Sequence, residues 1–333
     1  MPHTTPPMKD GISPSRLYLE KLNNQPKSLL AFLCQKFPHI SPDEWQARFD
    51  GGDVWGDVSD KMTGGVAPLT VETPYQHGRT IYYYRTLQDE IAVPFDYQIL
   101  FENDEFMVVD KPHFLAVTPS GSYVKQTLLA RLKADTGNAD LSPIHRLDRE
   151  TAGLILISKN VATRHQYQAL FAHHAITKVY HAIAIVNHKL TMPIDVRLHL
   201  ERGEPFYVMR VNADKPANTH THIDILAVKG DLAKYELRPT TGKLHQLRVH
   251  LNHLGTPICH DPYYPSVRHK PKDDFTNPLQ LLAKHLVFND PITGERWEFT
   301  SKQNLDWGVP ALYNTSETLK MCGVNGCFCM KNG

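Results

Sequence analysis

The sequence predicts an α+β fold, on three observations. From residue 99 onward, segments of strand character outnumber helical ones. They do not alternate regularly with helices, as a doubly wound parallel sheet would require. A short helix-helix-strand stretch precedes them, set apart by IAVPFDYQ (91–98), which reads as a linker. The 333 residues suffice for two domains, and 41% hydrophobic with 21% charged residues argues against wholesale disorder.

The elements follow in order. Residues 1–15 are rich in proline and polar side chains and read as a flexible tail. SLLAFLCQKF has helical periodicity, with Ser28 as its cap. SPDEWQARFDGG opens with a capping Ser41, Pro42 at the first helical position and two acids, and Gly51-Gly52 stops it. Strand-like pieces ending in TIYYYRTL complete a small domain over 16–86. ILFENDEFMVVDKP, two apolar runs around Glu-Asn-Asp, predicts a strand hairpin. TLLARLKADTG and ATRHQYQALFAHHAI read as helices, and KVYHAIAIV, THTHIDILAV and KYELRP as strands. HLVFNDPITGERWEFT reads as two strands joined through Pro291 and Gly294. This second domain covers 95–310, leaving a cysteine-containing tail over 311–333.

Charge and cysteine usage narrow the function classes. Net charge is only +1, so a polyanion site must come from local clustering. No apolar run approaches the roughly 20 residues of a membrane span, and the first residues lack the apolar core of a signal peptide. Five cysteines make no disulfide framework, so a reducing cytoplasm is expected. Cys322, Cys327 and Cys329 fall short of a four-ligand zinc set, and His173-His174 and the THTH stretch lack the acidic partners of a hydrolytic metal centre. No metal is expected.

Three stretches carry chemistry. HRLDRETAG (145–153) places His145, Arg146, Asp148, Arg149 and Glu150 directly before an apolar strand. A carboxylate beside two arginines stays ionised and suits a nucleophile or general base, but a structural ion pair has the same composition. In KVYHAIAIV, alternation sends Lys178, Tyr180, Ala182 and Ala184 to one face. Tyr180 is then either a rim residue of the core or a stacking surface for a base. TTGKLHQLRVHLNHLG lies in a locally basic region, with five Lys or Arg against two acids between Lys229 and His250. It is a solvated face or a phosphate contact.

Taken in order, these motifs resemble the RluA-type family of RNA pseudouridine synthases. HRLDRETAG is similar to that family's HRLDxxTSG, KVYHAIAIV to K-x-Y-x-A-x-V, and TGKLHQLRVHL to TGRTHQIRVHL. ILFENDEFMVVDKP, KPANTHTHIDIL, LGTPICHDPYY and HLVFNDPITGERWEF also fit, so the likeness spans about 95–300. The resemblance implies a catalytic domain on a mixed, largely antiparallel sheet with flanking helices. It implies an isomerase that breaks the C1′–N1 bond of a uridine in ribosomal or transfer RNA, turns the uracil and rejoins it through C5. Asp148 is then the essential carboxylate, Tyr180 packs on the base and Arg248 pairs with Asp148. Arg146, Arg149, Lys178, Lys243, His245 and Gln246 are expected to meet RNA, with Arg146 helping to fill the space left by the extruded nucleotide. RNA is the expected partner and a monomer the expected state. The reaction calls for no cofactor.

Three positions depart from the family pattern: Ala152 where serine is usual, Lys243 for arginine, and Cys259-His260 where a small residue or glycine is usual. Residues 16–86 weakly resemble an S4-like RNA-binding module. Yet six acids and one strong base, Arg48, between Ser41 and Asp60 favour a degenerate S4-like fold over a working phosphate grip. Two rival readings remain: an RNA-binding or assembly protein on an inactive scaffold, and a metal-dependent hydrolase.

Overall fold

The computed structural model describes residues 5–57, 65–85 and 90–307; Cys322, Cys327 and Cys329 lie outside them. The chain divides into two compact units. One comprises 1–90 and 118–139, the other 91–117 and 140–333.

The first unit contains β1 (Ser15–Tyr18), α1 (Leu29–Lys36), α2 (Pro42–Asp50), β2 (Val54–Asp57), β3 (Val66–Pro68), β4 (Thr80–Tyr83) and α3 (Leu128–Thr136). Its sheet runs β1-β4-β2-β3. Local sequence sets the helix starts. Ser28 accepts from the Ala31 N–H, and Ser41 with Glu44 forms a reciprocal capping box. Leu33, Trp45, Val54 and Ile81 form the core.

Two expectations change here. The tail expected over 1–15 is packed from residue 7 onward. Tyr84 donates to the Pro7 carbonyl, Lys9 bonds Gly52 O and Asp53, and Ile12 is buried with Val124 and Ala130. Residues 118–139, expected in the second domain, group with the first unit instead. Glu90 accepts the N–H groups of Val124, Lys125 and Gln126, and Lys133 donates to Ser13. One carboxylate thus satisfies three backbone donors of a loop far away in sequence, which local periodicity cannot reveal.

The second unit contains β5 (Gln98–Glu102), β6 (Phe106–Lys111), β7 (Ser142–Pro143), β8 (Ala152–Ser158), α4 (Arg164–Ala172), β9 (Ile176–Ile185), β10 (Ile194–Leu198), β11 (Leu200–Arg202) and β12 (Met209–Val211). After them come β13 (Thr219–Lys229), β14 (Leu232–Pro239), α5 (Gln246–His253), β15 (Leu281–Asn289) and β16 (Arg296–Thr300). Its large sheet runs β10-β13-β14-β9-β15-β8-β6-β5, with β16 on β15 and β7 on β8. The β8–β15 pair is parallel and the other described pairs are antiparallel, giving the mixed, largely antiparallel sheet of an α+β fold. β8 reads AGLILIS without alternation because every residue of it is buried. Tyr180, Ala182 and Ala184 of β9 face one core cluster while Ile183 faces another, as strand alternation requires. β11 and β12 form a separate hairpin.

Candidate active site

The stretch HRLDRETAG folds as a loop and tight turn feeding β8. His145 accepts the Leu156 N–H at Nε2 (3.0 Å) and stacks on Phe171 at 4.5 Å. Burial pushes its pKa down to about 3, so it stays neutral and serves as an acceptor that ties the loop to the strand. The Thr151 N–H donates to Asp148 O at 3.1 Å and closes the turn. Gly153 has φ +108°, and a Cβ there would lie 2.3 Å from Ala283 O. Only glycine lets β8 approach β15 at this point.

Asp148, at the head of this turn, keeps 20% of its side chain exposed. Its Oδ2 accepts from Arg248 Nη1 at 3.1 Å. Arg248 lies on α5, is 1% exposed, and is held on its other side by Asp261: Nε to Oδ2 at 2.7 Å, Nη2 to Oδ1 at 2.6 Å. Asp261 is itself fixed by the N–H groups of Tyr263 and Tyr264. The rings of these tyrosines lie against the guanidinium at 4.9 and 5.4 Å. This is a bidentate clamp with one arm of the fork left for Asp148. Burial alone would raise the Asp148 carboxyl, but the Arg248 charge and hydrogen bond, together with the Arg146 charge, outweigh it and hold the group below its ordinary value. The carboxylate is therefore ionised, aimed and partly open.

His245 caps α5 in a left-handed conformation, φ +53°. Its Nδ1 pairs with the Tyr264 hydroxyl at 2.9 Å, and its Nε2 faces Asp148 Oδ2 at 3.8 Å. The Tyr264 oxygen also accepts the Met209 N–H, so its own proton is free to go to Nδ1. Burial and the Arg248 charge bring His245 down to about 4, so it is neutral near pH 7.

Tyr180 is half-buried on β9. Burial and the nearby Asp148 charge raise its hydroxyl, which stays protonated. Lys178, two residues back on the same face, donates to Thr241 O at 3.4 Å. Arg146 is exposed. Arg149 pairs with Glu150 at 2.6 Å and lies over the Phe114 ring.

The third motif divides in two. Lys243 is exposed. Gln246, expected to meet RNA, is 4% exposed and engaged at both ends of its amide: with His220 O and the Thr221 hydroxyl, and with the Thr241 hydroxyl and the Lys243 N–H. Its geometry gives it a loop-shaping role, because every polar atom is spent within the chain.

The structure thus gathers Asp148, Tyr180, Arg248 and His245. It adds residues to which the sequence reading gave no role. Asp261, Tyr263 and Tyr264 come from LGTPICHDPYY, whose Asp-Pro-Tyr-Tyr was the available signal. Lys111 is fully buried and donates to the carbonyls of Pro112, Leu115 and Arg149, so it pins the turn behind Asp148. Burial brings its amine down to about 7, against the opposing pull of Glu150 and Asp148. Two family departures, Ala152 and Cys259, meet in one buried apolar cluster with Ile183 and Leu282. His260 adopts φ +61°, the conformation glycine favours.

The chain is similar to known RNA pseudouridine synthases. The family model for RNA pseudouridylate synthase matches residues 105–253. An uncharacterized RNA pseudouridine synthase of Synechocystis is 29% identical, covering 71% of this chain and 79% of its own length. The ribosomal large subunit pseudouridine synthase C of Rickettsia typhi is 29% identical over 61% of this chain and 67% of its own. Among solved structures, human RNA pseudouridylate synthase domain containing 1 aligns with TM-score 0.51 at 23% identity, covering 62% of this chain and 84% of its own, a likeness of fold. The uncharacterized RNA pseudouridine synthase YlyB of Bacillus subtilis is 30% identical over 63% of this chain and 70% of its own. On this similarity and on the motifs that build the Asp148 site, the chain belongs to the RNA pseudouridine synthases, in the RluA-type family whose motifs it carries.

Proposed function

We propose that the protein isomerises uridine to pseudouridine in large-subunit ribosomal RNA, with Asp148 as the group that engages the ribose. The observation that carries this reading is the Asp148–Arg248 contact, 3.1 Å long, made by an arginine already clamped by Asp261. When the C1′–N1 bond breaks, its electron pair leaves with the uracil and the sugar becomes electrophilic at C1′. A fixed anionic oxygen beside that carbon stabilises the change; Arg248 holds it in place, and the neutral His245 imidazole 3.8 Å away does not cancel its charge. Rejoining through C5 gives a neutral adduct, and transfer of its C5 proton to N1 restores the conjugated base, with no net oxidation. The half-buried ring of Tyr180 supplies an apolar wall for the base. Choice of ribosomal over transfer RNA is supported by relatives named as ribosomal large subunit pseudouridine synthases.

The same reading makes the first unit a degenerate S4-like module. In α2 the one arginine, Arg48, is buried with its guanidinium over Trp45 at 4.8 Å, while Asp43, Glu44 and Asp50 occupy the same helix. Such a helix repels phosphate. A monomer acting in the cytoplasm completes the proposal.

Incubating the purified protein with unmodified large-subunit ribosomal RNA tests the reading, with pseudouridine mapped before and after. Wild type should form pseudouridine, and Asp148→Asn should lose at least about 10³-fold in rate with unfolding temperature unchanged. An Asp148→Asn variant of full activity would overturn the assignment.

A further inference from the structure

Phe206 is 76% exposed, the most exposed of the large hydrophobic side chains among the described residues. It sits at the tip of the β11–β12 hairpin, whose turn is tied by Gly203 N–H to Val208 O (3.0 Å) and Val208 N–H to Pro205 O (2.9 Å). Arg202 Nη1 donates to Phe206 O at 2.9 Å and fixes the tip further. A lone exposed aromatic is unremarkable on a surface. This one is not alone. Its ring meets Tyr207 at 5.6 Å, Tyr207 meets Tyr263 at 5.4 Å, and Tyr263 lies 5.4 Å from His245 and 4.9 Å from the Arg248 guanidinium. An unbroken run of rings leads from the clamp on Asp148 to solvent.

We propose that Tyr263, Tyr207 and Phe206 form a stacking track for the nucleotides next to the target uridine, with Phe206 taking the face of an unpaired base. The inference rests on the isomerase reading, since extruding one nucleotide leaves its neighbours unstacked and in need of a new π-face. The exposed Arg210 of the hairpin and the nearby Lys215 are both answered by Glu201, and Arg202 is held on the Phe206 carbonyl. A rigid turn presenting an aromatic ring has little ordering entropy left to lose on binding. Stacking is also tolerant of sequence, so the track supports binding beside the site without dictating which uridine enters it.

The test uses three variants of the full chain on unmodified large-subunit ribosomal RNA transcribed in vitro. Phe206→Ala should raise KM by about 10- to 100-fold with kcat little changed. Phe206→Leu should behave like alanine, and Phe206→Trp should stay near wild type with its added emission quenched by RNA. All three should unfold at the wild-type temperature, because the ring makes little buried contact. Wild-type kcat/KM in Phe206→Ala overturns the inference. So does full rescue by leucine, which would mark a general apolar contact of the kind a protein partner makes. If wild type itself is inactive on this RNA, the substrate reading fails separately. The stacking track is then decided by the quenching of Phe206→Trp with mixed-sequence single-stranded RNA, and no quenching overturns it.

Discussion

At the scale of single residues, the site turns on how a buried arginine is shared between two carboxylates. Asp261 takes two bonds from Arg248 and is fully buried, whereas Asp148 takes one and is open. Asp261 is thus the anchor, and Asp148 is the carboxylate left open for the role proposed for it. Arg248→Lys keeps the charge but loses the fork, so an ammonium cannot serve both carboxylates in the same geometry. Burial then acts on Asp148 with less opposition and its carboxyl rises. The sign follows: a rate that needs the ionised carboxylate is preserved in wild type down to acid pH, and its acid limb moves to higher pH in Arg248→Lys. Rate profiles between pH 4 and 8 should show that displacement along with a lower plateau. An unmoved acid limb would mean Asp148 is not the ionisation that governs the rate. His245→Ala should shift the limb the same way but less, since its contact is longer at 3.8 Å.

At the scale of elements, legibility followed the range of the interactions. The hairpin of β5 and β6 was readable because Asn103 accepts the N–H groups of Glu105 and Phe106 within its own turn. The capped starts of α1 and α2 were readable for the same local reason. β11 and β12 were not: strands of three residues carry no period-two signal. The partnership of Arg248 with Asp261 was also missed, since α5 and the following loop must fold before the two meet. The motif resemblance placed Asp148, Tyr180 and Arg248, while the residues that aim them came only from the structure. Two motif glycines separate these contributions. At Gly153 a Cβ meets Ala283 O at 2.3 Å and N at 2.6 Å, both backbone atoms that cannot yield cheaply, whereas at Gly242 nothing lies within 4 Å. Gly153→Ala should therefore cost roughly 3 kcal/mol or more and lower the unfolding temperature by about 5–15 °C. Gly242→Ala should leave it within about 2 °C. Equal melting temperatures for the two variants would contradict the close β8–β15 contact.

At the scale of the whole molecule, a net charge of +1 leaves a polyanion to be met by local groups, and the expected contacts Arg146 and Lys243 are both exposed. Nineteen histidines, which at first sight suggest metal chemistry, serve in part as buried neutral hydrogen-bonding groups. His113 pairs with Glu150 O, His145 with the Leu156 N–H, His245 with Tyr264 and His250 with the Thr219 hydroxyl. Burial is the largest cause of the shift in each, bringing His145 down to about 3 and the other three to about 4. In the unfolded chain the same groups titrate near 6.5. Between about pH 6.5 and 4 the unfolded state takes up protons that the folded state refuses, so stability falls as pH drops through that window. All four belong to the unit that holds the site, and each lies in or contacts the turn, strand or helix that presents Asp148 and Arg248. Acid should therefore loosen the site and the fold together. Unfolding temperature measured from pH 8 to pH 4 should decline steadily as pH falls below 6.5, and His250→Asn should flatten part of that slope. A profile that stays level down to pH 4.5 would mean these imidazoles protonate within the fold, and the neutral state given to His245 would fall with it.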